Sequence, residues 1–265
     1  MSNPNRYIQI IEKIFERNFR EGATSVNFER KEIISTAKEL GIVLPLNLGD
    51  VIYSFKFRTP LPGKIQNKAP QGKEWVIVSK GRSLYAFEAK NVSRIIPDPM
   101  LTITKIPDAT PGIVMMYALD DEQALLTKLR YNRLLDIFTG VTCYSLQNHL
   151  RTTVKNVGQV ETDEIYVGID KKGAQYVFPV QAKGGTDELG VVQIEQDIAL
   201  CADKFPNLKC RAIAAQFMQE GVIAMFEFDF QDGEIRKEFE KHYKLVPPEQ
   251  LSLKEIQKYQ TKGEG

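Results

Sequence analysis

Two runs near the middle of the chain, EIYVGID over 164–170 and QYVFPVQAK over 175–183, are dense in β-branched and aromatic residues. They predict strands, and the Lys171-Lys172-Gly173 step between them predicts a hairpin turn. No other segment constrains the fold as strongly, because a hairpin commits both strands to one sheet and settles which side chains share a face. Glu161, Asp163 and Glu164 stand at the start of the first strand, and Gln181-Ala182-Lys183 closes the second. A twisted pair of this kind carries carboxylates toward a lysine.

Oxygen-rich groups beside a lysine suit a hard metal. Magnesium keeps several waters and needs one or two carboxylates besides substrate phosphate oxygens, and Asp163 can supply one of them. Gln181 and Lys183 lie two apart, so they are expected to project together, with the Ala182 carbonyl between them. The lysine would then orient or deprotonate a water already made more acidic by the metal.

Asp163, the intervening hairpin and Gln181-x-Lys183 resemble the PD-(D/E)XK nuclease superfamily, and the remaining chain resembles a type II restriction endonuclease within it. The Gly184-Gly185 exit and the helix-like run DELGVVQIEQDIALCADKF fit that core. The resemblance implies a magnesium-dependent DNA endonuclease, with manganese able to substitute, that hydrolyses phosphodiester bonds at a specific duplex site. Asp163, Gln181 and Lys183 would be its catalytic residues; Asp163, Gln181, Ala182 and Glu161 would hold the metal. Gln181 departs from the common pattern, which has Asp or Glu there, and so removes one negative ligand. A second carboxylate is open among Glu161, Glu164 and Glu195, and Glu122, on a first helix, is a further candidate. Two other functions fit the same residues: a nuclease-like DNA-binding regulator without activity, and a repair or structure-specific nuclease of the superfamily. Solvated charges flanking an ordinary hairpin would also read this way. A second Glu-x-Lys, Glu88-Ala89-Lys90, has no carboxylate-bearing strand before it and is read as a surface strand end.

Composition narrows the alternatives. No stretch of the 265 residues approaches the ~20 apolar residues of a membrane span, and the polar start MSNPNRY has no signal-peptide core, so a cytoplasmic protein is expected. Cys143, Cys201 and Cys210 have no metal-ligand spacing and are expected as buried small hydrophobes. With His149 and His242 alone, a histidine metal cluster is nearly excluded, and His149 is read as a packing residue.

Charge is uneven along the chain. Residues 1–100 hold sixteen Lys and Arg against ten Asp and Glu, whereas 101–265 hold nineteen against twenty-four. The basic part reads as three helices, over 4–21, ERKEIISTAKEL and LGDVIYSFKFR (after Asn47 as cap), followed by a hairpin with Lys80-Gly81-Arg82 at its tip. That order suggests a winged-helix module contacting duplex DNA through Lys56, Arg58, Lys80 and Arg82, with Lys64, Lys68 and Lys73 nearby and Arg151 added from the second part. Tyr53, Phe55 and Phe57 are read as core.

The expected architecture is α/β (α+β): a winged-helix-like domain over 1–95, a Pro-rich linker over 96–112, and a restriction-endonuclease-like core over 113–265 with a mixed central sheet flanked by helices. Within that core, DDEQALLTKLRYNRLLDIFTG reads as a helix capped by Asp120 or Asp121, CYSLQNHLRTTV as a shorter helix, and CRAIAAQFM and GVIAMFEFDF as strands. Ser252 and Glu255 have capping-box spacing for a last helix, and the TKGEG end is expected to be disordered. Cutting both strands of a palindrome calls for a homodimer, and a restriction enzyme implies a cognate methyltransferase for the same site.

Overall fold

A computed structural model of the chain describes residues 7–91, 94–118, 122–184 and 187–261. The Asp120 and Asp121 cap, Gly185 of the glycine exit and the last four residues of the TKGEG end lie outside them.

The first part runs α1 (Ile8–Asn18), β1 (Ser25–Glu29), α2 (Arg30–Glu39), α3 (Gly49–Phe57), the short α4 (Gly63–Gln66), β2 (Glu74–Ser79) and β3 (Leu84–Lys90). Helix α1 buries Ile10, Ile11, Ile14 and Phe15 at helical spacing. Helix α2 starts where the Glu29 N–H donates to Glu32 Oε1 at 2.8 Å, and Asn47 Oδ1 accepts the Gly49 N–H at 3.1 Å to open α3. The strands form an antiparallel sheet ordered β1-β3-β2. Its inner face, with Phe87 and Trp75, packs on Phe15, the ring centroids being 5.1 and 5.2 Å from that of Phe15. Tyr53 and Phe57, four apart on α3, share a face with ring centroids 5.0 Å apart, whereas Phe55, two from each, points away from them. Phe55 is buried and Phe57 half-buried, while Tyr53 is exposed with the Arg58 guanidinium over its ring.

The rest of the chain runs β4 (Arg94–Ile95), β5 (Ile103–Pro107), α5 (Gly112–Tyr117), α6 (Glu122–Tyr131), α7 (Leu134–Thr139), β6 (Thr142–Val154), β7 (Gly158–Ile169), β8 (Gln175–Lys183), β9 (Leu189–Gly190), α8 (Val191–Lys204), β10 (Lys209–Cys210), β11 (Ala212–Phe217), β12 (Val222–Gln231), β13 (Glu234–Val246) and α9 (Leu253–Thr261). Eight of these strands build one mixed sheet, ordered β5-β13-β12-β11-β8-β7-β6 with β10 beside β8. The β8–β11 and β13–β5 pairs are parallel, and β6–β7–β8 and β11–β12–β13 are antiparallel. Helices α6 and α7 cover one face through Leu125, Leu126, Leu129 and Phe138. Helix α8 covers the other, and Val78 and Ala86 of the small sheet pack on the same cluster as Val191, Val192 and Ile194 of α8. The fold is therefore mixed α/β, with helices on both faces of the large sheet. Among the described residues no helix is long and apolar enough to cross a membrane.

Three sequence expectations are corrected. CYSLQNHLRTTV is the edge strand β6, hydrogen-bonded along β7 from Thr142↔Ile169 to Val154↔Gly158. The single helix expected over 120–140 is two, because Arg133 adopts a left-handed φ of 48° between α6 and α7. The Pro-rich stretch contains β5, which lies parallel to β13 at the sheet edge. The expected strands over CRAIAAQFM and GVIAMFEFDF are β11 and β12, and the Ser252–Glu255 cap is present, Glu255 Oε2 accepting the Ser252 N–H at 3.0 Å.

Candidate functional site

The β7–β8 hairpin is closed by Asp170, whose Oδ1 accepts the N–H groups of Lys172 and Ala174 at 2.8 and 2.9 Å. From there the two strands pair back to Glu164↔Val180. One residue further, the Asp163 carboxylate takes over: its Oδ2 accepts the Ala182 N–H at 2.8 Å. A strand residue exchanges its N–H and C=O with the same neighbour, so the Ala182 carbonyl leaves β8 on the edge that faces Asp163.

Asp163 is mostly buried, and that burial pushes its carboxyl above the usual range. The Ala182 N–H and the nearby Lys183 ammonium pull in the opposite direction, Glu122 adds to the rise, and His149 opposes it. His149 stands opposite Asp163 between the pairs Asn148↔Glu164 and Leu150↔Thr162. It is exposed rather than packed, has φ 48°, and its Nε2 lies 3.0 Å from Gln123 Nε2. Lys183 Nζ lies 3.8 Å from Glu122 Oε1 at the start of α6. Asp163, Lys183, Glu122 and His149 thus gather where β6, β7 and β8 meet the first turn of α6.

Gln181 does not join Lys183 in the open. Its side chain is 1% exposed and turns under α8, where Nε2 donates to Asp197 Oδ2 at 2.8 Å. Gln193 Nε2 approaches Gln181 Oε1 at 3.5 Å. Of the three carboxylates considered for a second ligand, none sits beside Asp163 unengaged. Glu161 is exposed and faces Arg151 across β6–β7. Glu164 is fully buried and salt-bridged to Arg130 at 2.9 Å. Glu195 pairs with Lys90 at 2.9 Å, and Lys90 also reaches Glu88 at 3.3 Å. Glu88-Ala89-Lys90 is therefore no surface strand end, because α8 packs beside it. Among the described residues no three His, Cys, Asp or Glu side chains converge into a metal cluster.

The basic residues expected to contact DNA are dispersed in their roles. Lys56 is largely buried and donates to Ser79 Oγ at 3.1 Å; burial lowers its pKa to about 8. Lys80 is salt-bridged to Glu88, and Lys64 to Glu12 at 3.2 Å. Arg82 is exposed on the β2–β3 turn. That turn meets the β6–β7 turn, since a Cβ on Gly158 would come 3.9 Å from the Gly81 carbonyl oxygen. Arg151 lies on the same long hairpin, exposed, with Nη2 3.2 Å from Gln159 Oε1. A separate cleft of about 910 Å³ opens between the end of α3 and the segment before α8, lined by Lys56, Arg58, Arg94, Asp187 and Glu188 among others. Its charges are mixed, and neither Asp163, Gln181 nor Lys183 lines it. The chemistry at Asp163 is the better site because its groups converge on one point.

Asp197 escaped the sequence reading, although a signal was present. It falls three residues after Ile194 and four before Cys201, on the inward stripe of α8, where a charged residue needs a partner. Cys143 and Cys201 are buried free thiols as expected, and Cys210 is half-buried.

No family model matches the chain, and no curated protein or solved structure matches it.

Proposed function

We propose that the chain is a magnesium-dependent DNA endonuclease of the PD-(D/E)XK superfamily, most like a type II restriction endonuclease. The observation that carries this reading is the 2.8 Å bond from the Ala182 N–H to Asp163 Oδ2, which holds a carboxylate at the mouth of a diverging hairpin within the field of Lys183. The donors around it fit a hard cation, since the Asp163 carboxylate and the Ala182 carbonyl are oxygens. Magnesium, when bound, supplies Lewis acidity and charge for the phosphodiester. Asp163 holds it on the hairpin, and Lys183 orients the attacking water and stabilises the charge that develops on it. Glu122 holds the Lys183 ammonium in place.

In this reading residues 1–95 are a winged-helix-like module, supported by the order of α1, β1, α2, α3, β2 and β3, with β1 pairing β3. Arg82 and Arg151, on hairpins whose turns meet, touch the DNA backbone, and residues 113–265 carry the nuclease. A two-fold homodimer cuts the two strands, and a methyltransferase protects the same site. One observation favours the regulator without activity: Gln181 is buried with its amide nitrogen on Asp197. Incubating plasmid DNA with the purified protein and magnesium separates the two. Discrete fragments that vanish in excess EDTA are expected; duplex binding with no cutting in magnesium or manganese would leave the regulator.

A further inference from the structure

Asp197 is completely buried, on the face of α8 that also carries Ile194, Leu200 and Cys201. A carboxyl group in such surroundings is costly unless it is partnered. One oxygen is: Oδ2 accepts Gln181 Nε2 at 2.8 Å. The other, Oδ1, has only the Thr162 hydroxyl beside it, which favours the charged carboxylate against its burial, and no further partner among the described residues. Asp163 is close enough for its charge to act on Asp197. Two carboxyl groups therefore flank Gln181, one on its side chain and one on the N–H of the next residue.

We propose that Gln181 and Asp197 are a matched pair in which Asp197 is the second carboxylate of the metal site and the reason an amide stands at position 181. This rests on the nuclease reading. An amide can donate to Asp197; a glutamate in its place would set two acceptors against each other at hydrogen-bond distance in a buried site. Moving the charge across the pair, with glutamate at 181 and asparagine at 197, keeps one donor, one acceptor and the same total charge. Asp197 acts through its contact with Gln181 and through its field at Asp163.

The test is a double-mutant cycle read in two ways, by thermal unfolding of the metal-free protein and by Mn²⁺ binding followed by electron paramagnetic resonance. Gln181→Glu is expected to lower the melting temperature. Asp197→Asn should leave the protein folded and weaken Mn²⁺ binding about tenfold or more, as the loss of groups that orient metal ligands does. The double variant Gln181→Glu/Asp197→Asn should regain much of the melting temperature lost in Gln181→Glu and bind Mn²⁺ more tightly than Asp197→Asn. If Gln181→Glu does not fold, folding of the double variant is the supporting result. Additive effects on melting, or Mn²⁺ binding by Asp197→Asn at the wild-type level, overturns the pair, and so does a wild-type protein that binds no Mn²⁺. Wild-type protein that binds Mn²⁺ with the expected cycle yet never cuts plasmid DNA supports the pair and removes the nuclease reading alone.

Discussion

Asp163 and Ala182 are joined side chain to main chain, at 2.8 Å, one residue beyond the last paired position of β7 and two beyond that of β8. The bond replaces a rung of the ladder with a carboxylate. It thereby turns the end of a structural hairpin into a place where a carboxyl group, a carbonyl edge and the Lys183 ammonium lie together.

Lys183→Ala is predicted to abolish plasmid cleavage while leaving duplex affinity within about twofold, because one cation among many contributes little to phosphate binding. Asp163→Asn should lose cleavage as well, since its amide keeps the size of the side chain but not its charge. Nicking by Lys183→Ala at the wild-type rate, followed on agarose gels, would rule out the lysine as the positioning group.

The buried ammonium of Lys56 makes stability depend on pH with a definite sign. Its pKa is about 8 in the folded chain against an unfolded value near 10.4, so between these values the unfolded chain binds more protons and stability rises with pH. Below about pH 8 both states are protonated and the full burial penalty, up to about 3 kcal/mol, is present. Lys56→Met, which keeps the stem and drops the charge, should raise stability at pH 7 by about 1–2 kcal/mol after loss of the Ser79 hydrogen bond, with the gain gone near pH 10.5. Urea unfolding at the two pH values decides it; an equal difference at both would contradict the assignment. Duplex binding should hardly change.

The turn residues Lys80 and Arg82 are unequal. Lys80 is neutralised by Glu88, whereas Arg82 is exposed. The double variant Lys80→Ala/Arg82→Ala should therefore flatten the slope of log affinity against log salt by about 0.9, the value for one phosphate contact, rather than by about twice that. Fluorescence anisotropy over a salt series measures this, and an unchanged slope would take Arg82 out of the DNA contact.

Gly168, on β7, has no room for a side chain. An added Cβ would lie 2.8 Å from both the Phe178 ring and Val141 Cγ1 and 3.1 Å from the Thr142 carbonyl oxygen. Gly168→Ala is predicted to cost about 1–3 kcal/mol by overpacking. A melting temperature equal to that of the wild type would show that the neighbours give way freely.

Much of the fold was legible locally. The apolar spacing of α1 and α8, the Lys171-Lys172-Gly173 turn, the strands β11 and β12 and the Ser252–Glu255 cap all follow from interactions within a few residues, which a linear reading captures. Strand β6 was missed because it is an edge strand with most side chains exposed, so its alternation is faint and its identity rests on hydrogen bonds to β7. In the same way β5 is a strand because β13 offers it an edge 130 or more residues away.

For the candidate site the division falls within single residues. The sequence by itself determined that Asp163 and Lys183 would lie at the same end of a hairpin, because a turn after Asp170 and a period of two leave no other arrangement. Tertiary structure decided which carboxyl groups matter. Packing α8 against β8 buried Gln181 on Asp197, drew Glu195 away to Lys90, and left Glu164 to Arg130 on the other face of the sheet. The physical reason is that a buried charge must find a partner, and the partner's identity depends on which helix covers which face, information that no local spacing contains.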